Sequence, residues 1–146
     1  MRWLVDGMNV IGARPDGWWR DRDAAMLRLV DTLERWAAGS GEDVTVVFER
    51  PPAPPIRSTV IEVAHAPRPR PNSADHEIVR RLAAEPDPAA VRVVTSDRWL
   101  AERAYAAGAT VEGADSFRIR LETERDPSHG SSEGAGRRAR RGPKRS

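Results

Sequence analysis

The chain has 146 residues, a formal net charge of +2 and no cysteine. That length is enough to close one hydrophobic core, and the missing thiols exclude disulfides, thiolate metal sites and cysteine nucleophiles. No stretch nears the roughly 20 apolar residues of a membrane span, and Trp3-Leu4-Val5 is too short an apolar run for a secretory signal, so the expectation is a cytoplasmic protein with no membrane partner.

In chain order, Trp3-Leu4-Val5 stops at Asp6-Gly7, the pattern of a buried parallel strand that ends in a loop. From about Asp23 to Ala38, Met26, Leu27, Leu29, Val30, Leu33, Trp36 and Ala37 recur at helical spacing, with Gly39 as the stop. Val44 to Phe48 reads as a second strand, and Val60 to Ala64, between two proline-rich loops, as a third. Asn72-Ser73 offers an N-cap for a helix that runs to about Ala84. Val91 to Thr95 is a fourth strand, and Asp97 to Ala107 a helix closed by Gly108. Thr110-Val111 is a short fifth strand, and Asp115 or Ser116 caps a last helix to about Glu122. Strands alternating with helices predict an α/β fold, a mostly parallel sheet with helices on both faces.

The composition changes after Glu122. Residues 123–146 hold no leucine, isoleucine, valine or aromatic residue, and carry seven basic residues against three acidic ones. Such a segment buries too little apolar surface to offset its ordering entropy, so it reads as a disordered basic tail behind a 1–122 domain. Lys144 is the only lysine, so the positive charge is almost all arginine.

In open parallel sheets, ligands bind beyond the carboxyl ends of the strands. The first strand ends in Asp6-Gly-Met-Asn9, the second in Glu49-Arg50, the fourth in Thr95-Ser96-Asp97, and Asp75 falls in the first turn of the helix after Ser73. Carboxylates that converge there would repel one another and need a cation to stay ionised together. Hard oxygen ligands suit Mg²⁺ or Mn²⁺, which activate water and stabilise the charge that builds up in phosphodiester cleavage. Taken singly, Asp75 and Asp97 are equally explained as helix-start carboxylates, and Glu49 is better explained as a solvated strand end than as a site residue. Asp6 has no such explanation, because it follows a buried strand directly.

Asp6-Gly-x-Asn9-Val-Ile-Gly12, then Asn72-Ser-Ala-Asp75, then Thr95-Ser96-Asp97, in that order on a β/α framework, resembles the NYN branch of PIN-like nucleases, and more narrowly its small YacP-like group. The resemblance covers about Trp3 to Glu122. It implies a PIN-like three-layer fold with sheet order 3-2-1-4-5, and a metal-dependent endoribonuclease that cuts single-stranded RNA with Mg²⁺ or Mn²⁺. Carried over by position, Asp6, Asp75 and Asp97 match the metal-binding acids, Asn9 the asparagine that orients the site, and Thr95 and Ser96 the polar pair at the fourth strand end. Members often carry a second acid directly after the one matching Asp75; here His76 stands there. Glu77, about 100° further round a helix, does not restore it. Among candidate RNA contacts, Arg50 and Arg98 suit phosphates, and His76 is a candidate phosphate contact or proton donor. Trp18 is a candidate to stack on unpaired bases, with Trp19, Trp36 and Trp99 assigned to the core. The rival reading is a non-catalytic RNA-binding or ribosome-associated module of the same fold.

Overall fold

The structure is a computed structural model and describes residues 1–68 and 70–125. Five parallel strands, β1 (Arg2–Asp6), β2 (Asp43–Phe48), β3 (Glu62–His65), β4 (Val91–Val94) and β5 (Thr110–Glu112), form one sheet in the order β3-β2-β1-β4-β5. The helices are α1 (Gly7–Gly12), α2 (Arg22–Ser40), α3 (Ser73–Ala83), α4 (Arg98–Ala107) and α5 (Ala114–Arg125), with 3₁₀ turns at Trp18–Arg20 and Pro88–Ala90. None of the described helices is long and apolar enough to cross a membrane.

The strands are nearly continuous apolar runs because both faces of the sheet are covered. Alternation sends Trp3, Val5, Val44, Val46 and Phe48 to one face, where Val10, Leu33, Trp36, Phe117 and Leu121 meet them from α1, α2 and α5. Leu4, Val47 and Ala64 point the other way, onto Ala74, Ile78 and Leu82 of α3 and Leu100 and Ala104 of α4. Trp3, Trp36 and Phe117 close the first layer with ring centroids 5.1 to 5.5 Å apart. Trp36 belongs to the core as its spacing indicates, and its Nε1 donates to Glu124 Oε1 at 2.8 Å.

Four local readings change. What reads as a loop after Asp6 is helix α1, packed so closely that a Cβ on Gly7 would lie 2.5 Å from the Phe48 ring. Helix α2 runs through Gly39 and ends at Gly41, whose φ of 74° is the left-handed stop. Asn72 precedes α3 with φ 65° but makes no side-chain cap. Helix α5 starts at Ala114, whose N–H is capped from a distance by Ser96 Oγ (2.9 Å), and continues to Arg125. The end of α5 therefore takes in residues 123–125 of the expected tail, while 126–146 lie outside the described residues.

Candidate active site

Asp6 is the last residue of β1, and by alternation it shares the Leu4 face, under α3 and α4. The β1–β4 ladder ends at Val5–Val94, so the chain leaves the sheet at Thr95 beside Asp6. There Thr95 Oγ1 donates to Asp6 Oδ2 at 3.0 Å and accepts from Asp97 N at 3.0 Å. One hydroxyl thus fixes both the first acid and the turn that carries the third. Asn9 Oδ1 accepts from Ser96 N at 2.7 Å, which ties the start of α1 to the same turn. Asn9, Thr95 and Ser96 therefore act as positioning groups, and the Ser96 hydroxyl is committed to the start of α5.

Asp75 enters from the first turn of α3. The β2 end anchors that turn: Asn72 N donates to Glu49 Oε2 (3.2 Å) and Ser73 Oγ to the Glu49 carbonyl (3.2 Å). Asp6 and Asp75 are only 4% and 7% exposed. Burial first, and then the neighbouring Asp75, push the Asp6 carboxyl up to about 7, against the pull of Thr95 and the Asn9 amide. Burial, with Asp97 and Glu49 nearby, raises Asp75 to about 6, while His76 and a hydrogen-bonding contact with Asp6 oppose the rise. Four carboxylates thus share one field at the carboxyl edge of the sheet. Of these, Glu49 is the one that strand-end reasoning sets aside, because solvation is its better explanation until α3 folds across it.

Asp97 is engaged locally as well: its Oδ1 accepts from Leu100 N at 2.9 Å, as the N-cap of α4. Among the described residues, no three His, Asp or Glu side chains stand in a ready-made ligating set. The donor chemistry nevertheless fits a hard divalent ion, since such ions commonly take one or two carboxylates and keep their waters. The adjacent Asp6 and Asp75 are such a pair, with Asp97 behind them. Glu77 is buried but faces away from this cluster, held by Arg80 (2.9 Å) and Arg81 (2.9 Å). It does not replace the acid missing at His76.

The outer candidates divide. His76 and Arg98 are exposed, each next in sequence to one of the acids. Arg50 is bound to Asp23 Oδ1 at 2.9 Å and to the Pro51 carbonyl, so it braces the following loop against α2. The two adjacent tryptophans exchange places relative to expectation. Trp18 packs against the core, whereas Trp19 is 52% exposed, because the 3₁₀ turn points residue 18 inward. Trp99 is not core either: it is 37% exposed, with the His76 ring 5.0 Å away and the Arg103 guanidinium over it at 5.0 Å.

Residues 3–144 match the family described as the YacP-like NYN domain. Two crystal structures of Rae1 (YacP) from Bacillus subtilis share the fold. The W164L mutant is 27% identical, with a TM-score of 0.67, over 84% of this chain and 75% of that one. The other is 24% identical, with a TM-score of 0.68, over 84% and 74%. No curated protein matches the chain.

Proposed function

From the premise that this chain belongs to the YacP-like NYN domain family, a PIN-like nuclease-type fold, we propose that it is a cytoplasmic metal-dependent endoribonuclease that cuts single-stranded RNA. The observation that carries this reading is the adjacent Asp6–Asp75 pair, both buried and both resisting ionisation. A fold gains nothing from such a pair, since burying carboxylates side by side costs stability. A site that holds a cation turns that cost into affinity.

In this reading Asp6 and Asp75 hold Mg²⁺ or Mn²⁺ with Asp97 as a third oxygen donor. When bound, such an ion activates a water and stabilises the charge that develops on the cleaved phosphate. The chain's own residues supply orientation. Thr95 keeps the Asp6 carboxylate fixed, Asn9 locks the two turns together, and Glu49 holds the backbone that presents Asp75. Arg98 and His76, exposed and each next in sequence to one of the acids, are the candidates to contact the RNA phosphates.

The rival, an RNA-binding module without chemistry, draws on the absence of a ready-made three-ligand set among the described residues. Incubating the full chain with labelled single-stranded RNA decides between the two. Cleavage with Mn²⁺ or Mg²⁺ that EDTA stops supports the nuclease. RNA that is bound but left intact at every metal concentration supports the module.

A further inference from the structure

On the opposite face of the sheet from the acids, α1, α2 and α5 enclose a cavity of about 380 Å³. Its floor is apolar, from Ile11, Leu29 and Leu121, and Trp18 forms one wall. Three guanidinium groups, those of Arg14, Arg28 and Arg118, stand around it. Arg118 is the unusual one. Its Nη1 donates to the Val10 carbonyl at 3.1 Å, while its buried Nε has no hydrogen-bond partner. Burial and the neighbouring Arg14 both disfavour the charge on Arg118, with Asp16 as a partial counterweight. Glu122 pairs with Arg14, which leaves Arg28 without an ion pair among the described residues.

We propose that this cavity is a second site, separate from the acidic edge, that binds a nucleotide: the phosphate between Arg118 and Arg28, and the base against Trp18. The volume falls in the range of about 300–1,000 Å³ typical of small-ligand pockets. Pockets for neutral ligands are mostly apolar, whereas here polar and charged residues outnumber apolar ones in the lining, which suits a charged ligand. An anion is the ligand class that offsets the positive charge Arg14, Arg28 and Arg118 bring to the cavity. The Arg22 guanidinium lies over one face of Trp18, 5.2 Å from the ring centroid, and a base would share that aromatic surface from the cavity side. A phosphate alone would leave the apolar floor uncovered, and a nucleoside alone would leave the guanidinium groups unanswered. Through Arg118 the site also reaches the carbonyl of Val10, in the helix that follows Asp6 and carries Asn9.

The test is calorimetric titration of the full chain, in EDTA so that no cleavage intervenes, with AMP, UMP, adenosine, inorganic phosphate and a 5′-phosphorylated trinucleotide. AMP or UMP should bind saturably, and adenosine and phosphate at least about tenfold more weakly, as expected when one charge-assisted contact or one stacking contact is lost. A trinucleotide that binds as the mononucleotide does identifies a free nucleotide as the ligand; one that binds at least about tenfold more tightly identifies a strand end. Arg28→Ala, which removes no described structural contact, and Trp18→Leu should each weaken binding about tenfold, whereas Asp6→Asn should leave it unchanged. Arg118→Met should do the same as Arg28→Ala, provided the variant still melts cooperatively. Absence of saturable binding to wild type, or binding equal in wild type, Arg28→Ala and Trp18→Leu, overturns the proposal. Neither result bears on whether the acidic edge cuts RNA.

Discussion

At the scale of single residues, a carboxyl group that is favourable for chemistry is unfavourable for folding. Asp6 and Asp75 titrate in the fold at about 7 and about 6, well above the ordinary 3.8. They therefore bind protons more tightly folded than unfolded. Their contribution to stability is complete below about pH 4 and is lost as pH rises through about 6 and then 7. In EDTA, Asp6→Asn should thus raise the melting temperature at pH 8, by a free energy on the order of 2–4 kcal/mol, and change little at pH 4. Equal melting of the two proteins at pH 8 would mean that Asp6 is not the strained acid. Thr95→Val removes the hydroxyl that favours ionised Asp6 and caps Asp97 N. It should cost about 1–3 kcal/mol in stability and move the alkaline-going limb of any pH–rate profile upward. A profile that stays in place would detach Thr95 from the titration of Asp6. At this scale, Asp6 was legible in the sequence because nothing bland explains a carboxylate straight after a buried strand. The orientations of Trp18, Trp19 and Trp99 were not, because a 3₁₀ turn and a helix's first turn decide which way an aromatic side chain points, and neither leaves a periodic mark.

Among the elements, the long periodic ones were readable and the short one was not. Helix α2 spans nineteen residues and α1 only six, fewer than two turns. No apolar period can show itself over that length, so Asp6 to Gly12 reads as loop. What holds α1 is tertiary: Gly7 lies against Phe48, where a Cβ would meet the ring at 2.5 Å. Gly7→Ala should therefore destabilise by about 1–3 kcal/mol, the usual cost of overpacking, and a neutral outcome in urea unfolding would show that the ring yields freely. The end of α2 gives a sharper contrast. Gly39 is helical with open space around it, whereas Gly41 holds φ 74°. Gly39→Ala should stabilise by about 0.5–1 kcal/mol and Gly41→Ala should destabilise by at least that much, so thermal melts of the pair must move in opposite directions. Had Gly39 been the true stop, the signs would be exchanged.

For the whole molecule, strand alternation sorts charge as well as packing. The Leu4 face carries the acids under α3 and α4, and the Trp3 face carries the aromatic core and the basic cavity under α1, α2 and α5. The order of elements and the parallel sheet could be read from the sequence, since each strand signal is followed by a helix signal. Where the domain ends could not be read from composition alone: Glu124, in a polar stretch, reaches back to Trp36. Beyond it, residues 137–145 hold six positive charges and no negative one. Deletion after Arg125 should flatten the salt dependence of RNA binding, with about 0.7 lost from the slope for each phosphate contact removed, and leave the melting temperature unchanged. Identical slopes would remove that segment from binding. The central claim, that the acidic edge cuts RNA with a bound divalent ion, is tested most directly by cleavage of single-stranded RNA across a Mn²⁺ titration with wild type and Asp75→Asn, both confirmed as folded. The account predicts Mn²⁺-dependent, EDTA-sensitive cutting by wild type and a loss of at least about a hundredfold in the variant. Equal rates in the two proteins, or cutting that persists in EDTA, would contradict it.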